Sequence, residues 1–199
     1  MKGLFSSKIV GSLTLGALIA VFIAVPAQAA VDTSMCAEQS FSQPFLYAGD
    51  LNLYTLLPGE SPGNFEGDGW ELSGGASVVT TTLAGGSTSQ VLDLPSGSKA
   101  VSPVICVTSL YPTARGVVRN VKGAEGVFFY VEYEGTSTWE HPKNTGQVHG
   151  SGTAWTAATP VNLQPYKVLG WQPMRITLVP GGKTSDFQIY NLYVDPRMS

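Results

Sequence analysis

Tyr130, Glu132 and Glu134 stand two residues apart in the run Val127 to Glu134. In an extended chain that spacing turns them to one face, together with Phe128. An aromatic face beside carboxylates suits a sugar, because rings stack on pyranose C–H groups while charged forks hydrogen-bond the hydroxyls. The strand before it carries Arg115, Val117 and Arg119 at the same alternation. If the turn at Lys122 to Glu125 pairs Val121 with Gly126, Arg115 falls opposite Glu132 and Val117 opposite Tyr130. The plain alternative is a solvated sheet face held by cross-strand ion pairs, each contributing about 1 kcal/mol or less. Both readings stay open on the sequence.

Glu132 and Glu134 would sit roughly 6.5 to 7 Å apart at their Cα atoms, compatible with hydrolysis by paired carboxylates. The match is only two residues long, so a glycan-active enzyme ranks behind binding. His141 and His149 lie outside any zinc-binding spacing, and neither accompanies a Gly-x-Ser-x-Gly elbow. No glycine-rich segment precedes a helix as a phosphate loop would. No catalytic residue is therefore expected. The expected ligand-binding residues are Tyr130, Glu132, Arg115, Trp139 and Trp155, the two tryptophans coming from the segment Thr136 to Pro165, read as extended loops with one or two short strands.

Strands must position these groups. Candidate strands are Leu51 to Leu57, Trp70 to Ser73, Ser77 to Thr82, Gln90 to Leu94, Val104 to Ser109, Arg115 to Val121, Val127 to Glu134, Gln172 to Val179 and Phe187 to Val194. Turn clusters such as Pro58-Gly59, Gly74-Gly75, Gly85-Gly86 and Pro180-Gly181-Gly182 separate them at intervals that suit a sandwich or barrel. Gly, Pro, Ser and Thr make up 72 of the 199 residues, and no window after the N-terminal segment shows helical periodicity. The chain reads as all-β.

Charge and cysteines narrow the setting. Met1 to Lys8 carries two lysines, an uncharged apolar run follows from Ile9 to Val25, and Ala27-Gln28-Ala29 forms a small-residue cleavage signal. Residues 1–29 are thus expected to be a signal peptide and 30–199 the mature domain, secreted and free of the membrane. Nine basic and fourteen acidic groups would remain, a net charge of −5. That leaves no basic footprint for nucleic acid. Export also makes a disulfide the natural state of Cys36 and Cys106, the only two cysteines.

A family resemblance emerges at both ends of the domain. Asn64 to Leu72, Gly75-Ala76, Leu92 to Ser98 and Ser102 to Val107 resemble the opening of galactose-binding-like jelly-roll carbohydrate-binding modules, and Trp171 to Val179 with Asp186 to Asp195 resembles their closing strands. The chain is also similar to small secreted bacterial proteins without an assigned role. The resemblance implies a single jelly-roll β-sandwich, with Ile189 and Leu192 as the two apolar residues spaced three apart across a bulge in the last strand. It further implies a possible structural Ca²⁺, for which Asn64, Glu66, Asp68 and Asp195 are the candidate ligands, with Asp50 a further source of oxygen. Tyr190-Asn191 stands where the family has an acidic pair. The expected function is a secreted non-catalytic binding module for a glycan or cell-envelope polymer; the alternative is a structural or protein-interaction domain of the cell surface.

Overall fold

The computed structural model describes residues 33–36, 38–108, 110–133, 143–163 and 170–196. The expected signal peptide, along with Glu134, Trp139 and His141, lies outside them. Fifteen strands run through the described residues: β1 Thr55–Leu56, β2 Glu60–Ser61, β3 Asn64–Phe65, β4 Glu71–Ser73, β5 Ser77–Thr82, β6 Thr88–Pro95, β7 Lys99–Val101 and β8 Ile105–Thr108 in the first half. The second half adds β9 Thr113–Lys122, β10 Val127–Tyr133, β11 Lys143–Val148, β12 Thr156–Ala157, β13 Val161–Asn162, β14 Trp171–Pro180 and β15 Asp186–Asp195. Strand residues dominate because the sequence supplies short β-branched and aromatic runs between turn formers.

Two antiparallel sheets form the expected jelly-roll sandwich. The seven-stranded sheet runs β12-β9-β15-β6-β5, with β1 on β15 and β13 on β9. The six-stranded sheet runs β11-β10-β14-β7-β4, with β8 on β14, and β2 and β3 make a separate hairpin. Alternation along β10 sends Val127, Phe129, Val131 and Tyr133 inward, where they meet Leu92, Leu94, Val118, Phe187 and Ile189 of the other sheet. Each such side chain contributes roughly 1.5 to 3 kcal/mol by leaving water. The disulfide joins Cys36 to Cys106 with Cα atoms 5.5 Å apart and ties an N-terminal arm, residues 33–54, to β8.

One expectation about pairing is corrected. β9 and β10 do not form a hairpin: β9 pairs with β15, β12 and β13, and β10 pairs with β14 and β11. Arg115 therefore lies in a different sheet from Glu132. Both strands carry an apolar face, and the two faces enter one core from opposite sides, Ala114 and Val118 from β9 and Phe129 and Val131 from β10. Facing across the core buries both sets, whereas a hairpin would leave them side by side.

The last strand behaves as the resemblance implied. Its register shifts between Tyr190 and Tyr193, with Asn191 at φ 53°. Asn tolerates this left-handed conformation better than most residues, and the extra residue lets Ile189 and Leu192 both reach the core. Glycine is needed at Gly74, where φ is 63° and a Cβ would meet the Gly97 carbonyl oxygen at 2.4 Å.

Three strands come from the segment 136–165, which the sequence suggested held one or two. β11 escapes pattern reading because Lys143 and Asn144 are exposed and Gly146 breaks the alternation; backbone pairing to β10 makes it a strand. β12 and β13, two residues each, exist only through β9.

Candidate functional site

The outer face of the six-stranded sheet takes its character from β10 and β14. Phe128, Tyr130 and Glu132 point away from the core and are half-buried, and the pleat spaces the first and last by roughly 13 Å. Register places Thr177 opposite Tyr130 and Arg175 opposite Glu132. The Arg175 guanidinium donates to Glu132 Oε2 at 2.7 Å, and its other terminal nitrogen lies 3.8 Å from Glu71 Oε1 on β4. On the other flank Gln147 stands opposite Phe128 and Asn144 opposite Tyr130, both amides exposed. Two aromatic rings thus lie in line beside a carboxylate–guanidinium–carboxylate row, with amides along one edge. Sequence reasoning expected this chemistry around Tyr130 and Glu132 but assigned the guanidinium to Arg115; it is Arg175.

Arg115 and Trp155 belong to the outer face of the seven-stranded sheet, where their polar groups are taken. Arg115 donates to Asp50 Oδ2 at 2.6 Å and to the Ala158 carbonyl at 2.6 Å, and its guanidinium lies 4.6 Å from the centre of the Phe45 ring. Burial pushes Asp50 upward, but hydrogen bonds from the Asn52 N–H, the Tyr54 hydroxyl and Arg115 outweigh it and hold the carboxyl below its usual range. Burial, reinforced by Asp50, pushes the Tyr54 hydroxyl up to about 12. Trp155 donates its indole N–H to the Thr82 carbonyl at 3.0 Å, meets Tyr190 edge-on and carries Arg119 over its ring. Arg119 in turn donates to Gln188 Oε1 and to Thr81 Oγ1, and Gln188 donates to Asp93. The arm covers this face, with Phe45 and Tyr54 in a second apolar cluster beside Val117, Tyr190 and Tyr193. The five expected ligand-binding residues therefore divide. Tyr130 and Glu132 share one face, Arg115 and Trp155 share the opposite one, and Trp139 lies outside the described residues.

The candidate calcium ligands are likewise spread. Asn64 Oδ1 already accepts hydrogen bonds from Ser89 and from the Gln90 N–H, Glu66 accepts from Ser61 and Asn64, and Asp68 is exposed. Asp195 is buried at the far end of β15, opposite Thr113, and Asp50 is engaged by Arg115. Among the described residues no three His, Cys, Asp or Glu side chains converge. Hydrogen bonds join the β2–β3 hairpin to β15 instead: the Gly63 N–H donates to Asn191 Oδ1 at 2.6 Å, and the Leu192 N–H donates to Glu60 Oε2 at 3.1 Å. Glu60 was not foreseen. Burial, with Glu66 nearby, pushes its carboxyl up to about 8, and its Oε1 is buried without a hydrogen-bond partner.

A cavity of about 330 Å³ opens beside the disulfide, lined by Thr33, Cys36, Gln39 and Phe41 of the arm together with Cys106 and Trp171. Trp171 and Phe41 are 39% and 41% exposed. The only signal in the sequence for Trp171 was its place at the outward-facing start of a strand that otherwise carries Arg175 and Thr177 outward.

No protein-family model matches this sequence, and no curated protein matches it. Among solved structures it is similar to the CBM22-1 xylan-binding domain of Paenibacillus barcinonensis Xyn10C, at 13% identity and a TM-score of 0.45, covering 66% of this chain and 88% of that one. A family 6 carbohydrate-binding module from Clostridium cellulolyticum, solved with xylose, matches at 15% identity and a TM-score of 0.39, covering 62% and 88%. TmCBM61, solved with β-1,4-galactotriose, matches at 12% identity and a TM-score of 0.38, covering 63% and 87%.

Proposed function

We propose that this chain is an exported, non-catalytic module that binds a glycan along the outer face of its six-stranded sheet. The observation that carries the reading is the line of Phe128 and Tyr130 beside Glu132, Arg175 and Glu71. A sugar ring has an apolar C–H face and a rim of hydroxyls; the two aromatic rings meet the first, and the charged row and flanking amides meet the second. The ion pair holds Arg175 and Glu132 in place before any ligand arrives, which lowers the ordering cost of binding. Glu132 acts here as a hydrogen-bonding group oriented by Arg175, and no step of bond cleavage is assigned to it.

The test is retention on xylan, a β-1,4-galactan and cellulose by affinity electrophoresis, extended to a glycan array, with and without Ca²⁺. Retention by the native protein that falls at least tenfold in Tyr130→Ala is the expected result. Equal behaviour of the two proteins on every polysaccharide would remove the proposal. Release of reducing sugar that survives in the native protein and vanishes in Glu132→Gln would instead favour an enzyme.

A further inference from the structure

The cavity beside the disulfide lies at the β8 end of the same sheet face, four residues along β14 from Arg175, and its chemistry is different. None of the six described residues that line it is charged: two aromatic rings and the disulfide form the apolar walls, and the Gln39 amide and the Thr33 hydroxyl supply the polar groups. Gln39 is held in place because its Nε2 donates to the Cys106 carbonyl at 2.8 Å. An ionic ligand would lose hydration here and find no opposite charge among these described residues. A purely apolar one would strand the amide and the hydroxyl. A neutral ring with one apolar face and a hydroxyl edge satisfies both. The volume is at the lower end of small-ligand sites, which run from about 300 to 1,000 Å³, so the cavity admits a ring or a chain end and not the length of a polymer.

We infer that this cavity is a second sugar site, taking a single neutral pyranose at a chain end or branch between Trp171 and Phe41. The ligand class rests on the glycan-binding reading above; the site itself does not. Four of the six walls come from the arm, so the Cys36–Cys106 bond holds the site together as well as the fold.

The test follows the indole N–H resonance of Trp171, assigned by its loss in Trp171→Phe, during titration with cellobiose, xylohexaose and β-1,4-galactotriose. The expected result is a saturable shift of that resonance, kept in Tyr130→Ala and weakened at least tenfold in Phe41→Ala. Both replaced side chains are partly exposed, and thermal melting checks that each variant is folded. A resonance that stays still while Tyr130-dependent binding proceeds overturns the inference and leaves the sheet-face reading standing. A shift in a protein whose binding ignores Tyr130→Ala does the reverse. Response to none of the three sugars, or only to an apolar dye, overturns the cavity site outright.

Discussion

The outer faces of the two sheets carry the same kinds of side chain and put them to opposite uses. On the seven-stranded sheet, Arg115, Arg119, Trp155, Tyr190 and Asp93 are joined to one another, to backbone carbonyls and to the arm, which lays Phe45 and Tyr54 over them. On the six-stranded sheet, Phe128, Tyr130, Glu132 and Arg175 are half-buried, Arg175 pairs with Glu132, and the arm meets the face at its β8 end, at Cys106 and Trp171. An arginine, an aromatic ring and a carboxylate on a strand thus do not by themselves make a binding face. What decides is whether another segment of the chain covers them first.

Four stability or binding measurements would sharpen or break that contrast, and an acid titration adds a fifth. Replacing both cysteines by Ala releases the arm and reopens a loop of 70 residues, which should cost about 4 kcal/mol in urea unfolding; a loss below about 1 kcal/mol would show that Phe45 and Tyr54 hold the cover unaided. Next, Arg115→Met takes the cation from the partly buried Asp50 and the donor from the Ala158 carbonyl and should cost about 3 kcal/mol, against about 2 kcal/mol for Arg175→Met, whose pair with Glu132 is less enclosed. Equal losses would erase the distinction. Trp155→Ala should cost about 2 kcal/mol, less than truncating a fully buried aromatic, while leaving polysaccharide retention unchanged. Tyr130→Ala should do the converse, with a melting temperature near that of the native protein and at least a tenfold loss of retention, about 1.4 kcal/mol.

The smallest effect is acid dependence on the covered face. Asp50 is held below its ordinary value of 3.8 when folded, so it adds stability above that pH and loses it as pH falls through the folded value. Melting curves from pH 5 to pH 2 should therefore drop less steeply in Asp50→Asn than in the native protein, from its lower starting stability. Identical slopes would mean that Asp50 is not the group responsible.

Much of the fold was readable along the chain. The alternation of Val127, Phe129, Val131 and Tyr133 against Phe128, Tyr130 and Glu132 named the buried and open sides of β10 correctly, because a strand's period of two is a property of the backbone. β5 matched its expected bounds of Ser77 and Thr82, set by a turn on either side. The bulge at Asn191, with Ile189 and Leu192 three apart across it, is what the family resemblance implied. The candidate site was only half readable. Tyr130 and Glu132 were placed together, but Arg115 was joined to them through a hairpin that the same alternation permits and the sandwich does not use. Trp155 looked available because nothing near it in sequence takes its N–H; the acceptor is Thr82, 73 residues earlier.

The sequence by itself determined an all-β chain, the inward and outward side of its longer strands and the only bridge two cysteines can make. These follow from composition, from a two-residue period and from a count, none of which depends on distant partners. The tertiary structure alone decided which arginine stands beside Glu132, which aromatic rings the arm covers, and that Trp171 and Phe41 meet across a cavity. Each of these turns on which segments pair or pack across tens of residues, where core burial and backbone hydrogen bonding outweigh any local preference.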